Sequence, residues 1–219
     1  MNSKPYRIID LDQGSEAWHA WRRQGIGASE APTLMGENPW SSPDRWLESR
    51  FGAVKKQAPS KSMALGSALE PEARRAYEIF IGEAMSPMCV ERIDIPWLHA
   101  SLDGMAWDEA RAVEIKCGAR VYQETAMFRR VPKQYRGQLQ HIMAVTGLPE
   151  MDFWAYWPNQ KPVHLRVARD ERYIERLIKT EQVFWIQVAE RFRSDPVRTQ
   201  PENFKTSPQS SNNVQEQQK

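Results

Sequence analysis

A chain of 219 residues, 41% hydrophobic and 26% charged, has the balance of a water-soluble globular protein, long enough for one well-packed domain and short of a comfortable two-domain length. No stretch approaches the roughly 18 apolar residues of a membrane-spanning helix, and Met1-Asn2-Ser3-Lys4-Pro5 has no apolar signal core, so a cytoplasmic protein with no membrane partner is expected. The net charge of +2 points to no partner by itself. Cys89 and Cys117 have neither a CxxC partner nor a histidine cluster, which argues against zinc and a structural disulfide and for two small buried hydrophobes.

Along the chain, Ser29 is placed to cap a short helix after Gly25-Ile26-Gly27-Ala28, with Glu30 favourable in its first turn. A helix start offers free N–H groups, so Ser29 beside Arg22 has the makings of an anion site; the plain alternative is that Ser29 only caps and Arg22 only faces water. Ser42-Pro43 starts the next helix, through Trp46, Leu47 and Phe51, and Gly52 ends it. Val54 to Ser62 reads as a basic, proline-containing linker.

Gly66 precedes a further helix whose stripe is Leu69, Ala73, Ala76, Tyr77 and Phe80, closed by Gly82. Glu70 and Arg74, one turn apart, make an i,i+4 ion pair, or Glu70 reaches from beside the core face toward a site beneath the helix. Val90–Ile95, Leu98–Leu102 and Ala112–Cys117 read as strands. Lys133–Val145 is a helix presenting Tyr135, Leu139, Ile142 and Met143 and ending at Gly147; among these, Gln138 either bonds a strand or serves water and phosphate at a cleft.

Met151–Trp157 reads as an inner strand and Val163–Val167 as its neighbour across the Pro158-Asn159 turn. Asp170–Arg193 is a long amphipathic helix that covers the sheet or a partner chain. The Gln-, Ser-, Asn- and Pro-rich stretch 194–219 is expected to be disordered, leaving 1–193 as one folded unit. Helices before and after a short central sheet predict an α/β fold with mixed strand directions.

The chemistry concentrates in Ser101-Leu102-Asp103-Gly104 and Glu114-Ile115-Lys116. Alternation along a strand puts Glu114 and Lys116 on one face and drives Ile115 into the sheet, while Asp103 stands across a hairpin from Glu114. Two carboxylates offer hard oxygen ligands for Mg²⁺, and the lysine can orient or activate water. Taken alone, the same residues also make a solvated salt bridge. Between Arg111 and Arg136 lie seven basic residues against two acidic ones, an excess suited to phosphate or to a solvated loop.

Four blocks in this order resemble the YqaJ-like viral recombinase family of the PD-(D/E)xK nuclease superfamily, over about Trp18 to Phe192: Arg22 with Gly25-Ile26-Gly27-Ala28-Ser29, Gly66-Ser67-Ala68-Leu69-Glu70, the Asp103 and Glu114-Ile115-Lys116 pair, and Tyr135-Arg136-Gly137-Gln138-Leu139-Gln140-His141. Leu102 stands where the superfamily often has proline.

The resemblance implies a restriction-endonuclease-like core with a central mixed sheet flanked by helices. It further implies that Asp103, Glu114 and the Ile115 carbonyl bind metal, that Glu70 serves a second Mg²⁺ or its waters, and that Lys116 and Gln138 position the attacking water, with Mn²⁺ able to substitute. Tyr135 matches a residue neighbouring the family's cleft. Arg22, Ser29 and Ser101 match a 5′-phosphate pocket. The implied activity is 5′→3′ digestion of double-stranded DNA by a ring-shaped homotrimer, releasing mononucleotides and leaving a 3′ overhang for a single-strand annealing partner. An endonuclease or junction resolvase with the same metal core, and a non-catalytic DNA-binding scaffold, are the alternatives.

Overall fold

The computed structural model describes residues 4–52 and 60–194; most of the expected linker and all of the expected tail but Ser194, which ends a helix, lie outside them. The strands are β1 (Tyr6–Ile9), β2 (Ile26–Gly27), β3 (Met85–Arg92), β4 (Leu98–Ala106), β5 (Ala112–Cys117), β6 (Glu150–Tyr156) and β7 (Val163–Ala168). They form one seven-stranded sheet in the order β1-β3-β4-β5-β6-β7, with the short β2 paired to β4. The β5–β6 and β2–β4 pairings are parallel and the rest antiparallel, so the sheet is mixed, as expected.

The helices are α1 (Glu16–Arg22), α2 (Ala31–Leu34), α3 (Pro43–Arg50), α4 (Lys61–Ile81), α5 (Ala119–Phe128), α6 (Lys133–Thr146) and α7 (Glu171–Ser194). One face of the sheet is covered by α4, whose buried Ala73 and Tyr77 cluster with Met85, Val113, Ile115 and Trp154. The other is covered by α6, where Leu139, Ile142 and Met143 pack with Ala100, Leu102, Met105 and Phe153. Because parallel strands need a crossover, α5 and α6 carry the chain from β5 to β6. No helix among the described residues is long and apolar enough to cross a membrane.

Several expectations need correction. Ser29 is not an N-cap: it lies inside a 3-10 turn, Ala28–Glu30, whose cap is Gly27 and whose Glu30 side chain accepts from the Gly27 N–H at 2.8 Å. Gly66 does not precede α4 but lies within it; Ser60 caps the helix, its hydroxyl accepting from Met63 N at 3.3 Å. The strand expected at Val90–Ile95 runs instead from Met85 to Arg92. The next strand continues past Leu102 to Ala106, so Asp103 is inside it rather than at its end. Cys89 is buried, whereas Cys117 is half-buried, and both are free thiols.

The long C-terminal helix packs largely on other helices: Val188, Phe184 and Trp185 join Leu34 and Trp46, and Leu177 joins Ala31. The α5 helix and strands β1 and β2 had no expectation. The first lacks both usual terminus signals, since Gly118 precedes it without a side-chain cap and Arg129 closes it in the left-handed conformation.

Candidate active site

A bulge places the aspartate. Met88 pairs with Leu102 and Ser86 with Met105, so two steps on β3 oppose three on β4 and the extra residue falls at Asp103-Gly104. Leu102 and Met105, three apart, therefore share the α6-side core, while Ala106 joins the α4 side. Pro87 lies opposite and has no N–H to give. The Asp103 carbonyl instead accepts from Arg74 Nε at 2.7 Å. Gly104 fits because a Cβ there would stand 2.9 Å from Val113 Cγ1.

The same distortion opens the β4–β5 pair. Its ladder joins Gly104 to Val113 and Met105 to Ala112, and further along the Asp103 carboxylate takes the Ile115 N–H at 2.7 Å. Strand residues exchange N–H and C=O with the same neighbour, so the Ile115 carbonyl faces this opening too. Ile115 packs on the α4 side, as alternation predicts.

Glu114 is fully buried on the α6 side. Its Oε1 meets Lys116 Nζ at 2.5 Å and accepts from Gln138 Nε2 at 2.6 Å, while Oε2 is buried without a hydrogen-bond partner. Burial first, and the neighbouring Asp103 second, push the Glu114 pKa up to about 8. Burial also raises Asp103, against the pull of Lys116. For Lys116, burial opposes the charge, but the Glu114 and Asp103 carboxylates outweigh it and hold the ammonium protonated above its ordinary range. The Lys116 ammonium also lies 5.2 Å from the centre of the Tyr135 ring.

Glu70 approaches from α4. Arg74 Nη2 donates to it at 2.6 Å, so one guanidinium joins this carboxylate to the bulged Asp103 backbone. The Glu70 pKa is raised by burial and by Asp103. Among the described residues, no group of three or more His, Cys, Asp or Glu side chains is arranged to hold a metal ion. The donor set still fits a hard cation: Asp103 and Glu114 are oxygen ligands, and the unpartnered Glu114 Oε2 is a buried acceptor that leaving unmet costs about 1–3 kcal/mol.

The three residues expected to receive a phosphate are linked, two directly and the third through Trp18. Arg22 Nη2 donates to Ser29 Oγ at 2.9 Å, and the Arg22 guanidinium lies 4.7 Å from the Trp18 ring centre. Trp18 Nε1 in turn donates to Ser101 Oγ at 2.9 Å. Both serines thus accept, and Ser101 Oγ also lies 3.9 Å from Cys89 Sγ. Gly27 lets Arg22 lie flat, since a Cβ would stand 3.1 Å from Nη2. Glu30, bonded to Arg50 at 2.7 Å and to Trp46 at 2.9 Å, fixes the turn carrying Ser29. Sequence reasoning missed Trp18 as the link, Arg74 as the grip on Asp103, and the bulge; Pro87 within a strand was the available signal for the last.

A mixed sheet with an Asp on one strand and Glu-x-Lys on its diverging neighbour defines a restriction-endonuclease-like, PD-(D/E)xK-type nuclease fold. The YqaJ-like viral recombinase domain matches residues 17–149, and the chain belongs to that family. The uncharacterized protein YqaJ of Bacillus subtilis (strain 168) is 26% identical over an alignment of 193 residues that covers 84% of this chain and 60% of that protein. The chain thus spans about 60% of the length of this curated relative.

Among solved structures, an alkaline exonuclease from Laribacter hongkongensis superposes with a TM-score of 0.72 at 24% identity, covering 84% of this chain and 97% of the other. The same enzyme in complex with dAMP gives the same values. A phage-related exonuclease from Haemophilus somnus 129PT gives a TM-score of 0.58 at 12% identity, covering 77% and 96%. At these identities the likeness shows the fold.

Proposed function

We propose that the protein is a Mg²⁺-dependent 5′→3′ exonuclease on double-stranded DNA, producing 3′ overhangs for recombination by strand annealing. The observation that carries this reading is Glu114, whose Oε1 is held by Lys116 and Gln138 while its buried Oε2 is unpartnered, with the Asp103 carboxylate bonded to the next residue's N–H. Asp103, Glu114 and the Ile115 carbonyl are the ligands, and Glu70, released from Arg74, serves a second ion or its waters. Bound Mg²⁺ supplies Lewis-acid polarisation of the scissile phosphate and stabilises the leaving 3′-oxygen; Mn²⁺ is able to replace it.

Lys116, held protonated, donates to the attacking water and to developing negative charge rather than accepting a proton. Gln138 fixes the Glu114 carboxylate and orients that water. Arg22, Ser29 and Ser101 receive the 5′-phosphate, the guanidinium through charge-assisted hydrogen bonds and the hydroxyls as donors. End recognition of this kind favours an exonuclease over the alternative of an endonuclease or junction resolvase. A complete set of charged groups has no purpose in the other alternative, a silent DNA-binding scaffold. A homotrimeric ring and a single-strand annealing protein partner belong to the same proposal.

The test is digestion of linear duplex, with and without a 5′-phosphate, beside a closed circle. Mg²⁺-dependent loss of the phosphorylated linear duplex with the circle intact is expected. Rapid cutting of the circle with no preference for ends contradicts the exonuclease reading.

A further inference from the structure

On the far side of α6 from Gln138, an open cleft of about 370 Å³ is lined by Arg129, Arg130, Arg136, Arg166, Gln140 and Asp170, among others. We infer that this cleft is a second phosphate-binding site, gripping the backbone of duplex DNA away from the scissile phosphate. The inference rests on the nuclease reading for its ligand, and on three observations for its place.

The stretch Arg129-Arg130-Val131-Pro132-Lys133-Gln134-Tyr135-Arg136 has four basic residues and no acidic one. It leads into the N-terminus of α6, a 14-residue helix with no acidic residue in its first turn and no capping side chain. The positive end of a helix dipole ordinarily attracts Asp or Glu. Here arginines and a lysine crowd it, an arrangement that repels itself until an anion arrives.

The charges are also left over. Arg136 pairs with Asp170 at 2.9 Å. Arg166 pairs with Glu150 at 3.1 Å and leans on Asp152 at 3.3 Å. Among the described residues, neither Arg129 nor Arg130 has a carboxylate partner, and Arg130 lies against the Phe128 ring at 5.3 Å. Arg129 is held at φ 49°, a left-handed conformation that glycine or asparagine fills more readily, so its side chain is aimed from a position it does not favour.

Finally, the segment is coupled to the chemistry. Tyr135, between Lys133 and Arg136, contacts both the Lys116 ammonium and the Phe153 ring, and Gln138 on the next turn holds Glu114. One helix start thus serves the scissile site on one side and the cleft on the other. Backbone contacts of this kind carry no base preference.

The experiment is fluorescence anisotropy of a labelled linear duplex in EDTA over a salt series, comparing wild type, Arg129→Ala/Arg130→Ala, and Lys179→Ala/Arg193→Ala as an equal charge loss on α7. Each phosphate contact contributes a slope of about 0.9 in log affinity against log salt, so the cleft variant is expected to lose about 2 in slope and the α7 variant close to none. Arg129→Lys/Arg130→Lys, which keeps the charge, is expected to keep most of the slope, and circular dichroism melting checks that each variant is folded.

Equal slopes for wild type and the folded cleft variant, or equal losses in both Ala variants, overturn the cleft while leaving the nuclease reading intact. Duplex that wild type does not bind in EDTA also overturns the cleft, and the nuclease reading is then decided by the digestion of linear duplex in Mg²⁺.

Discussion

Two buried carboxylates on adjacent strands of the same sheet have opposite surroundings. Asp152 on β6, 1% exposed, accepts from Tyr77 Oη, from Arg111 at 3.1 Å and from Arg166 at 3.3 Å, with His164 Nε2 2.9 Å away. Burial would raise its pKa, but these donors outweigh it and hold the carboxyl below its ordinary range. Glu114 on β5, equally buried, has one oxygen shared by Lys116 and Gln138 and the other unmet, and its pKa rises to about 8. The Asp152 carboxylate, met on both oxygens, is structural glue, even though Arg111 Nε and His164 Nε2 beside it lack a hydrogen bond; Glu114 Oε2 is left unmet at a cost in stability, and a hard cation is what would satisfy it.

The largest expected effect separates chemistry from structure. Lys116→Ala should lower single-turnover hydrolysis of linear duplex by about 10²–10⁴-fold, the scale of a lost positioned proton donor, with binding in Ca²⁺ retained. Hydrolysis near the wild-type rate in Mg²⁺ would remove Lys116 from its role. Asp152→Ala should do the reverse, costing about 1–3 kcal/mol of unfolding free energy as buried Tyr77 and the half-exposed Arg111 and Arg166 lose their acceptor, while turnover per folded molecule persists. Loss of turnover in molecules that remain folded would merge the two clusters into one site.

Arg74→Ala tests the link between bulge and site. Freeing the Asp103 carbonyl and Glu70 should cost about 1–3 kcal/mol in a urea melt and depress turnover as well, with Arg74→Lys intermediate in both. An effect on stability alone would make Arg74 part of the scaffold only. Arg22→Ala should reduce the preference for 5′-phosphorylated over hydroxyl ends by about 10-fold, the worth of roughly one charge-assisted hydrogen bond, while hydroxyl-ended duplex is cut as before. An equal loss on both ends would assign Arg22 to general binding.

The last effect is on pH. Between the ordinary carboxylate range and about 8, folded Glu114 holds a proton that the unfolded chain has released, so stability of the metal-free protein should fall as pH rises through that window. Asp152 has the opposite sign, contributing stability that is lost as pH falls through its depressed pKa. Urea melts across this range should show a flatter decline for Glu114→Gln; an unchanged slope would mean that Glu114 is ionised at neutral pH.

Much of the scaffold was legible because it follows local rules. Ser42-Pro43 starts α3, Gly82 and Gly147 close α4 and α6 in left-handed turns, and alternation puts Glu114 and Ile115 on opposite faces. The acidic pair was legible as a motif, and Gln138 as a polar residue among core positions that had to find a partner. What escaped depends on neighbours far away in sequence. Asp103 sits where it does because β3 carries Pro87 opposite a bulge in β4, and Arg74 reaches its carbonyl from another element. Ser29 looked like a cap because the residue type fits one, yet Gly27 holds that position with its N–H bonded to Glu30, and Ser29 accepts from Arg22 instead.

The contrast between the carboxylates is tested most directly by titration calorimetry with Mn²⁺ on wild type, Asp103→Asn and Asp152→Asn. Wild type and Asp152→Asn should bind the ion and Asp103→Asn should not. Undiminished binding by Asp103→Asn, or none by wild type, would contradict a cation site at Asp103 and Glu114.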